Sequence, residues 1–306
     1  PNLDGGARGI WGGGNASPGP IHADIEYITI STQGNSIDFG SNLSDGKRRC
    51  SGFGSRTRGF IAAGRTPTNK NTIDFVTFSS TGTTTAWGDT LNNTGTADNS
   101  GFANSTRGIS KSGYTSPGSA GTFDFITMSS TGGVNDFGDL IASGDAGGAF
   151  ASPTRGVIAG GYEPANDNTI SFVTITTTGN AQDFGDLIEA QNGPGSSSCS
   201  SSTRGLTFGG RNISSTTLSR IEKIEIASKG NSATFGDLTE TVRFSSGTGS
   251  KTRGVRIAGY EVPANADQST MDYVQIATEG DAVLFGSLGR STRSMGSSTS
   301  NDHGGL

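Results

Sequence analysis

The dipeptide Arg-Gly returns along this chain at an almost constant interval, and that period limits the available folds more than any other feature. It stands at Arg8-Gly9, Arg58-Gly59, Arg107-Gly108, Arg155-Gly156, Arg204-Gly205 and Arg253-Gly254, with glycine-to-glycine steps of 50, 49, 48, 49 and 49 residues. A degenerate seventh copy, His303-Gly304, follows after 50 more. A fixed period of this length is the mark of an architecture built from stacked supersecondary units. Six units therefore account for the chain, near 9–58, 59–107, 108–155, 156–204, 205–253 and 254–303. Composition alone (50 glycines, 30% hydrophobic residues) leans towards low complexity, and the periodic order overrides it.

Within each unit the same phrases recur. After Arg-Gly comes a short apolar run ending in glycine, such as Val157-Ile158-Ala159-Gly160-Gly161, then a variable polar stretch. An extended run follows, as in Ile73-Asp74-Phe75-Val76-Thr77-Phe78, then a turn such as Thr178-Gly179-Asn180 and the phrase Asp183-Phe184-Gly185-Asp186-Leu187. β-Branched and aromatic residues bounded by glycine and asparagine turns predict strands, four to a unit, and no segment has helical periodicity. In the extended run the first, third, fourth and sixth positions are apolar, as at Ile25, Tyr27, Ile28 and Ile30. Strand side chains alternate between faces, so this pattern predicts a sheet apolar on both sides, which needs cover on both.

These observations predict an all-β fold. It is a single six-bladed β-propeller over 1–306, with four antiparallel strands per blade. The ring is closed by a C-terminal strand near 295–301 that completes blade one. From the first residue of the extended run to the Phe-Gly glycine the count is 15 in every unit, whereas the other two connections vary. The unit resembles the kelch repeat, through glycine pairs such as Gly13-Gly14, Gly160-Gly161 and Gly209-Gly210 and the fourth-strand aromatics Phe39, Trp87, Phe137, Phe184, Phe235 and Phe285.

Strands in a blade run up and down, so the two variable connections share one face, and variable loops on a rigid scaffold are where binding is expected. One residue per unit follows the glycine pair there: Asn15, Arg65, Tyr114, Tyr162, Arg211 and Tyr260. Tyrosine and arginine suit binding surfaces, so Arg65, Tyr114, Tyr162, Arg211 and Tyr260 are the candidate ligand-binding residues; the alternative is that they cap the second strand. The repeated arginines are expected to pair structurally, within or between blades, with the repeated acids Asp89, Asp139, Asp186 and Asp237; the alternative is an anion-binding ring.

Catalysis is not expected. His22 and His303 are the only histidines and neither recurs, and carboxylates such as Asp24, Asp167 and Asp267 show no spacing that suggests an acid–base pair or a calcium site. No cofactor or metal is implied. A net charge of −5 without basic runs argues against nucleic acid. No apolar stretch approaches the length needed for membrane insertion, and the first residues lack a secretory signal. Cys50 and Cys199, three repeats apart, read as buried thiols. The sequence of phrases (Arg-Gly, glycine pair, Ile-Asp-Phe-Val-Thr-Ile, Thr-Gly-Asn-Ala, Asp-Phe-Gly-Asp-Leu) resembles tandem repeats in virion structural proteins of marine bacteriophages, especially cyanobacterial ones. That resemblance implies a decoration, tail or receptor-binding protein at the virion surface, whose partners are other virion proteins or a host surface glycan in host recognition. The alternatives are a secreted or extracellular carbohydrate-binding propeller lectin, and a hydrolase or lyase with a central acidic pocket.

Overall fold

The computed structural model describes residues 7–16, 18–91, 95–115, 118–162, 165–192, 198–262, 264–293 and 297–306. It is all-β, with no helix among these residues. Each repeat period corresponds to one four-stranded antiparallel sheet, whose first strand comes from the end of the preceding unit. Sheet two runs Ser51–Gly54, Arg58–Thr66, Thr68–Thr77, Thr84–Asp89 in spatial order. Sheet three (Ser100–Ala103, Arg107–Lys111, Thr122–Thr127, Asn135–Asp139) has the same order. So do sheet four (Gly148–Ala151, Arg155–Tyr162, Asn166–Thr174, Gln182–Asn192) and sheet five (Ser198–Ser200, Arg204–Asn212, Thr217–Glu225, Ala233–Asp237), which are linked by a two-residue pairing of Gln191 and Asn192 with Asn212 and Arg211. Sheet six is Ser246–Gly249, Arg253–Glu261, Ala266–Gln275, Val283–Thr292. Sheet one takes its inner strand from the far end of the chain: Ser297–Ser300 pairs with Arg8–Gly12, which leads to Asp24–Thr29 and Ile37–Asn42. Met295, the expected start of that strand, lies outside the described residues. The arrangement is compatible with the expected propeller.

The core is divided among the contacts between sheets. Ile25 and Phe39 of sheet one bury against Val76 and Phe78 of sheet two. Ile73 and Trp87 of sheet two meet Ile126 and Met128 of sheet three. The same contact recurs between sheets three and four, four and five, and five and six. It recurs between sheets six and one, where Met271 and Phe285 pack on Ile28 and Ile30. Thus the first and third positions of each extended run face one neighbour and the fourth and sixth face the other, as the alternation requires.

The repeated arginines do not pair with the repeated aspartates. Each one donates from Nη1 to the carbonyl at the sixth position of the extended run in the next sheet: Arg8 to Phe78, Arg58 to Met128, Arg107 to Ile175, Arg155 to Ile226, Arg204 to Ile276 and Arg253 to Ile30, over 2.5–3.1 Å. Five of the guanidinium groups lie over the third-position ring of their own sheet, such as Arg8 over Tyr27 and Arg253 over Tyr273, both at 4.4 Å. In sheet five that position is Lys223, and Arg204 takes Glu225 instead. The expected partner fails for a geometric reason: the arginine lies over the strand end, where carbonyls are left free, and not beside the fourth strand. The preceding turn is capped by a serine or asparagine three residues before the arginine, as when Arg58 N donates to Ser55 Oγ at 3.1 Å and Arg107 N to Asn104 Oδ1 at 2.8 Å. Arg8 N donates in the same way to Asn301 Oδ1 at 2.8 Å, across 293 residues.

The glycine of Arg-Gly is set by close approach. A Cβ on Gly205 would fall within the ring of Phe150 in sheet four, and one on Gly156 within that of Phe102 in sheet three. The Phe-Gly glycine is set by a neighbouring turn: Gly185 adopts φ of +150°, and Gly230 N of the next sheet donates to Phe184 O at 2.9 Å.

A second latch is the acid at the second position of the extended run, which is Glu26, Asp74, Asp124, Glu222 or Asp272 and is Ser171 in sheet four; all six are buried. Each carboxylate accepts a bond from the preceding sheet, three or four residues beyond its Phe-Gly glycine. The donors are Gly289 N to Glu26, Ser44 Oγ to Asp74, Leu91 N to Asp124, Ile188 N to Glu222 and Thr239 Oγ1 to Asp272. Four also hold a cation: Arg290 on Glu26, Lys47 on Asp74, Arg220 on Glu222 and Arg256 on Asp272. Asp124 has no cation partner among the described residues, and burial pushes its carboxyl up to about 6.

Two outcomes follow. Gly205→Leu forces a side chain into the Phe150 ring and is expected to cost about 3 kcal/mol or more, read by chemical denaturation. For Asp124, the folded-state value lies above the ordinary 3.8, so its cost to stability is absent below about pH 4, grows up to about pH 6 and is full above that. Asp124→Asn keeps an acceptor for Leu91 N and is expected to gain about 2 kcal/mol at pH 8 and almost nothing at pH 4.

Candidate functional site

The two variable connections do more than share an edge of the molecule: they pair with each other. The segment that leaves the fourth strand passes inwards as a strap and bridges, backbone to backbone, the residue that follows the glycine pair. Arg48 pairs with Arg65, Ala97 with Tyr114, Asp145 with Tyr162, Asn192 with Arg211, Arg243 with Tyr260 and Arg293 with Asn15. Typical bonds are Arg65 N to Arg48 O at 2.8 Å and Tyr162 N to Asp145 O at 3.0 Å. All five candidate residues therefore have equivalent places on one face. Their backbones are fixed by the strap, and their side chains are left at the rim.

The side chains are not equally available. Tyr162 is 43% exposed, whereas Asn15 is buried and accepts from Arg48 Nη1 at 3.4 Å. Tyr260 donates from its hydroxyl to Asn265 Oδ1 at 3.1 Å, and its ring carries two guanidinium groups, Arg293 at 4.4 Å and Arg243 at 5.3 Å. Arg65 donates from Nε to Pro67 O at 3.1 Å, and Arg211 from Nη2 to Ser215 Oγ at 2.6 Å. Asparagines tie neighbouring positions together: Asn69 Nδ2 donates to Tyr114 O at 3.1 Å and Asn166 Nδ2 to Arg211 O at 3.0 Å. Among the described residues, no hydrogen bond or ring contact joins any two of the five candidate side chains directly. Glu163, Pro164 and Pro263, in the two similar tyrosine loops, lie outside the described residues.

Sequence reasoning missed the strap residues Arg48, Arg243 and Arg293. A signal was present, because Arg48, Ala97, Asp145 and Arg243 each stand 17 residues before their rim partner. The missing link was that this spacing means a backbone pairing. Burial, and then the nearby Arg49 and Arg65 guanidinium groups, depress the Arg48 value; burial, and then Arg211, depress that of Arg243.

Beneath Tyr114 and Tyr162 lies a second charged group. Arg49 pairs with Asp98, whose carboxyl is raised by burial against the pull of Arg49. Lys111, fully buried, donates from Nζ to Gly144 O and is pushed down to about 8 by burial, which Asp145 and Asp98 oppose. Burial, with Asp98 adding to it, brings Asp145 up to about 6. Among the described residues no cluster of histidine, cysteine and carboxylate groups has metal-binding geometry.

A narrow cavity is lined by small residues of all six inner strands, among them Gly52, Gly101, Ala149, Ser198, Gly247 and Ser298. His303 projects there. Gly305 N donates to its Nδ1 at 3.2 Å, so Nε2 carries the proton and donates to Gly54 O at 2.7 Å. Burial drives its value down to about 4. Both ring nitrogens are engaged, which makes this a structural group. Both cysteines are buried free thiols, and burial pushes Cys50 up to about 12.

Arg49→Met would leave Asp98 buried without its cation. It is expected to cost about 3 kcal/mol at pH 8 and distinctly less at pH 4, where the carboxyl takes up a proton, as read by thermal denaturation at the two pH values. No family model matches this chain, and no curated protein matches it either.

Proposed function

We propose that the six sheets close into a six-bladed propeller, latched by the final strand. We further propose that the chain is a non-enzymatic structural and binding protein of a bacteriophage virion surface, a decoration or receptor-binding piece. Closure is supported by the sixth inter-sheet contact, which repeats the other five in kind: Arg253 reaches Ile30 O as Arg58 reaches Met128 O. Apolar residues of the last repeat also bury against the first. Closure would remove the exposed strand edge of an open array.

The observation that carries the binding reading is the strap-bridged rim. Six equivalent positions are held by one backbone device yet carry asparagine, arginine or tyrosine, so the frame is constant and the tips differ. Meanwhile the buried acids that recur in the repeat are occupied within the contacts between sheets. The virion assignment rests on the resemblance of the repeat phrases. Mass spectrometry of purified phage particles, with quantification against a major capsid protein, tests it. The chain is expected in fixed stoichiometry with the particle, and recovery only from the particle-free lysate would sink the assignment. A soluble lectin would instead appear in that lysate and bind neutral glycans on an array.

A further inference from the structure

We propose that an arc of five arginines on the strap face, Arg211, Arg243, Arg293, Arg48 and Arg65, is a binding site for an acidic polysaccharide. This rests on the reading of that face as the binding face.

The arc is continuous. The strap pair Val242–Arg243 lies against the strand Arg204–Asn212, which carries Arg211. Arg243 and Arg293 both pack on the Tyr260 ring. Arg293 bridges Asn15, Asn15 receives Arg48 Nη1, and Arg48 bridges Arg65. The arc thus crosses sheets five, six, one and two. It gathers five of the 22 basic residues of a chain whose net charge is −5.

Elsewhere the arginines other than exposed Arg56 have partners. The six Arg-Gly arginines have carbonyls, Arg220 has Glu189 and Glu222, and Arg256 has Glu240 and Asp272. In the arc only Arg293 is neutralised, by Asp267 at 2.8 Å. Among the described residues the other four carry no ion pair; the Nε atoms of Arg48, Arg211 and Arg243 are buried without a hydrogen-bond partner, as are those of Arg49, Arg256 and Arg290, which do have carboxylate partners at other nitrogens. Guanidinium groups crowded together without a carboxylate repel one another, and an anion spanning them would offset that repulsion. The depressed values of Arg48 and Arg243 reflect burial first and this crowding second.

The form of the arc points to the kind of anion. Its charges are spread over four sheets, which suits a ligand with repeated, well-separated negative groups better than a single ion. Stacking on Tyr260 fixes Arg243 and Arg293 by their faces; Arg293 gives its Nε to Asp267, and the terminal nitrogens of Arg243 remain for a carboxylate or sulfate. Tyr114 and exposed Tyr162 continue the rim on the remaining two sheets, with flat surfaces of the sort a sugar ring covers. The acidic remainder of the protein disfavours a dense phosphate chain.

Titration calorimetry of the whole chain with dextran sulfate, carboxymethyl dextran, uncharged dextran and poly-glutamate tests the proposal. Binding is expected to one or both acidic dextrans and to weaken with salt, with none to uncharged dextran; the two acidic forms distinguish sulfate from carboxylate recognition. The double variant Arg211→Gln/Arg243→Gln should lose at least tenfold in affinity while its ligand-free Tm stays level or rises, because repulsion is relieved. Arg56→Gln, in an exposed turn on the opposite face, should bind as wild type. Failure of both acidic dextrans, or tighter binding of poly-glutamate, overturns the polysaccharide. The strap face itself would survive if Tyr162→Ala still abolished docking to particles or host cells. Loss of binding through Arg56→Gln alone would instead overturn the choice of face.

Discussion

A sheet that is apolar on both faces has no stable place in water by itself, and everything else in this chain follows from that constraint. Each extended run except that of sheet five, where Lys223 stands third, gives two apolar side chains to each neighbour, and burial on both sides supplies the main driving force. Apolar contact is non-directional, so it brings sheets together without fixing how they slide. The directional part is polar. One arginine per unit reaches a carbonyl on the next sheet, and in five units a buried carboxylate accepts a bond from the sheet before. Because a buried donor or acceptor without a partner costs more than a made bond gains, these latches penalise every other register.

The carboxylate latch also shows how a repeat tolerates drift. The acceptor stays in place while the cation comes from different positions: from a strap in Lys47, from a facing strand in Arg256, from the fourth strand of the neighbouring sheet in Arg290. In sheet three no cation is supplied among the described residues and the carboxyl rises towards neutrality; in sheet four serine removes the charge altogether. All of these meet the same requirement, that a charge buried between sheets be paired, protonated or absent. The arginine arc on the strap face departs from this economy: of its five members only Arg293 has an ion pair among the described residues.

Much of the architecture was legible in the residues. The strand count, the two-faced extended run, the fixed turn before Phe-Gly and the pairing of the last strand with Arg8–Gly12 all follow from period and alternation. The candidate rim was legible too, since Arg65, Tyr114, Tyr162, Arg211 and Tyr260 share one register after the glycine pair. What misled was a shared period. The acids of Asp-Phe-Gly-Asp looked like partners for Arg-Gly because both recur, yet the structure uses the acid of Ile-Asp-Phe, hidden among apolar neighbours, and leaves the arginine to backbone carbonyls that no sequence pattern displays.

The sequence by itself determined the local geometry and the period: which segments extend, where they turn, and which side chains must leave water, because these depend on a residue and its near neighbours. Only the tertiary structure decided which polar groups meet across a gap of 50 residues or more, as Arg8 does with Phe78 and Asn301. It also decided which arginines are used up inside the fold and which remain at its rim. That difference has a physical cause. Hydrophobic burial is a property of one side chain and its surroundings on average, whereas a hydrogen bond or an ion pair exists only when two particular groups arrive within about 3 Å of each other.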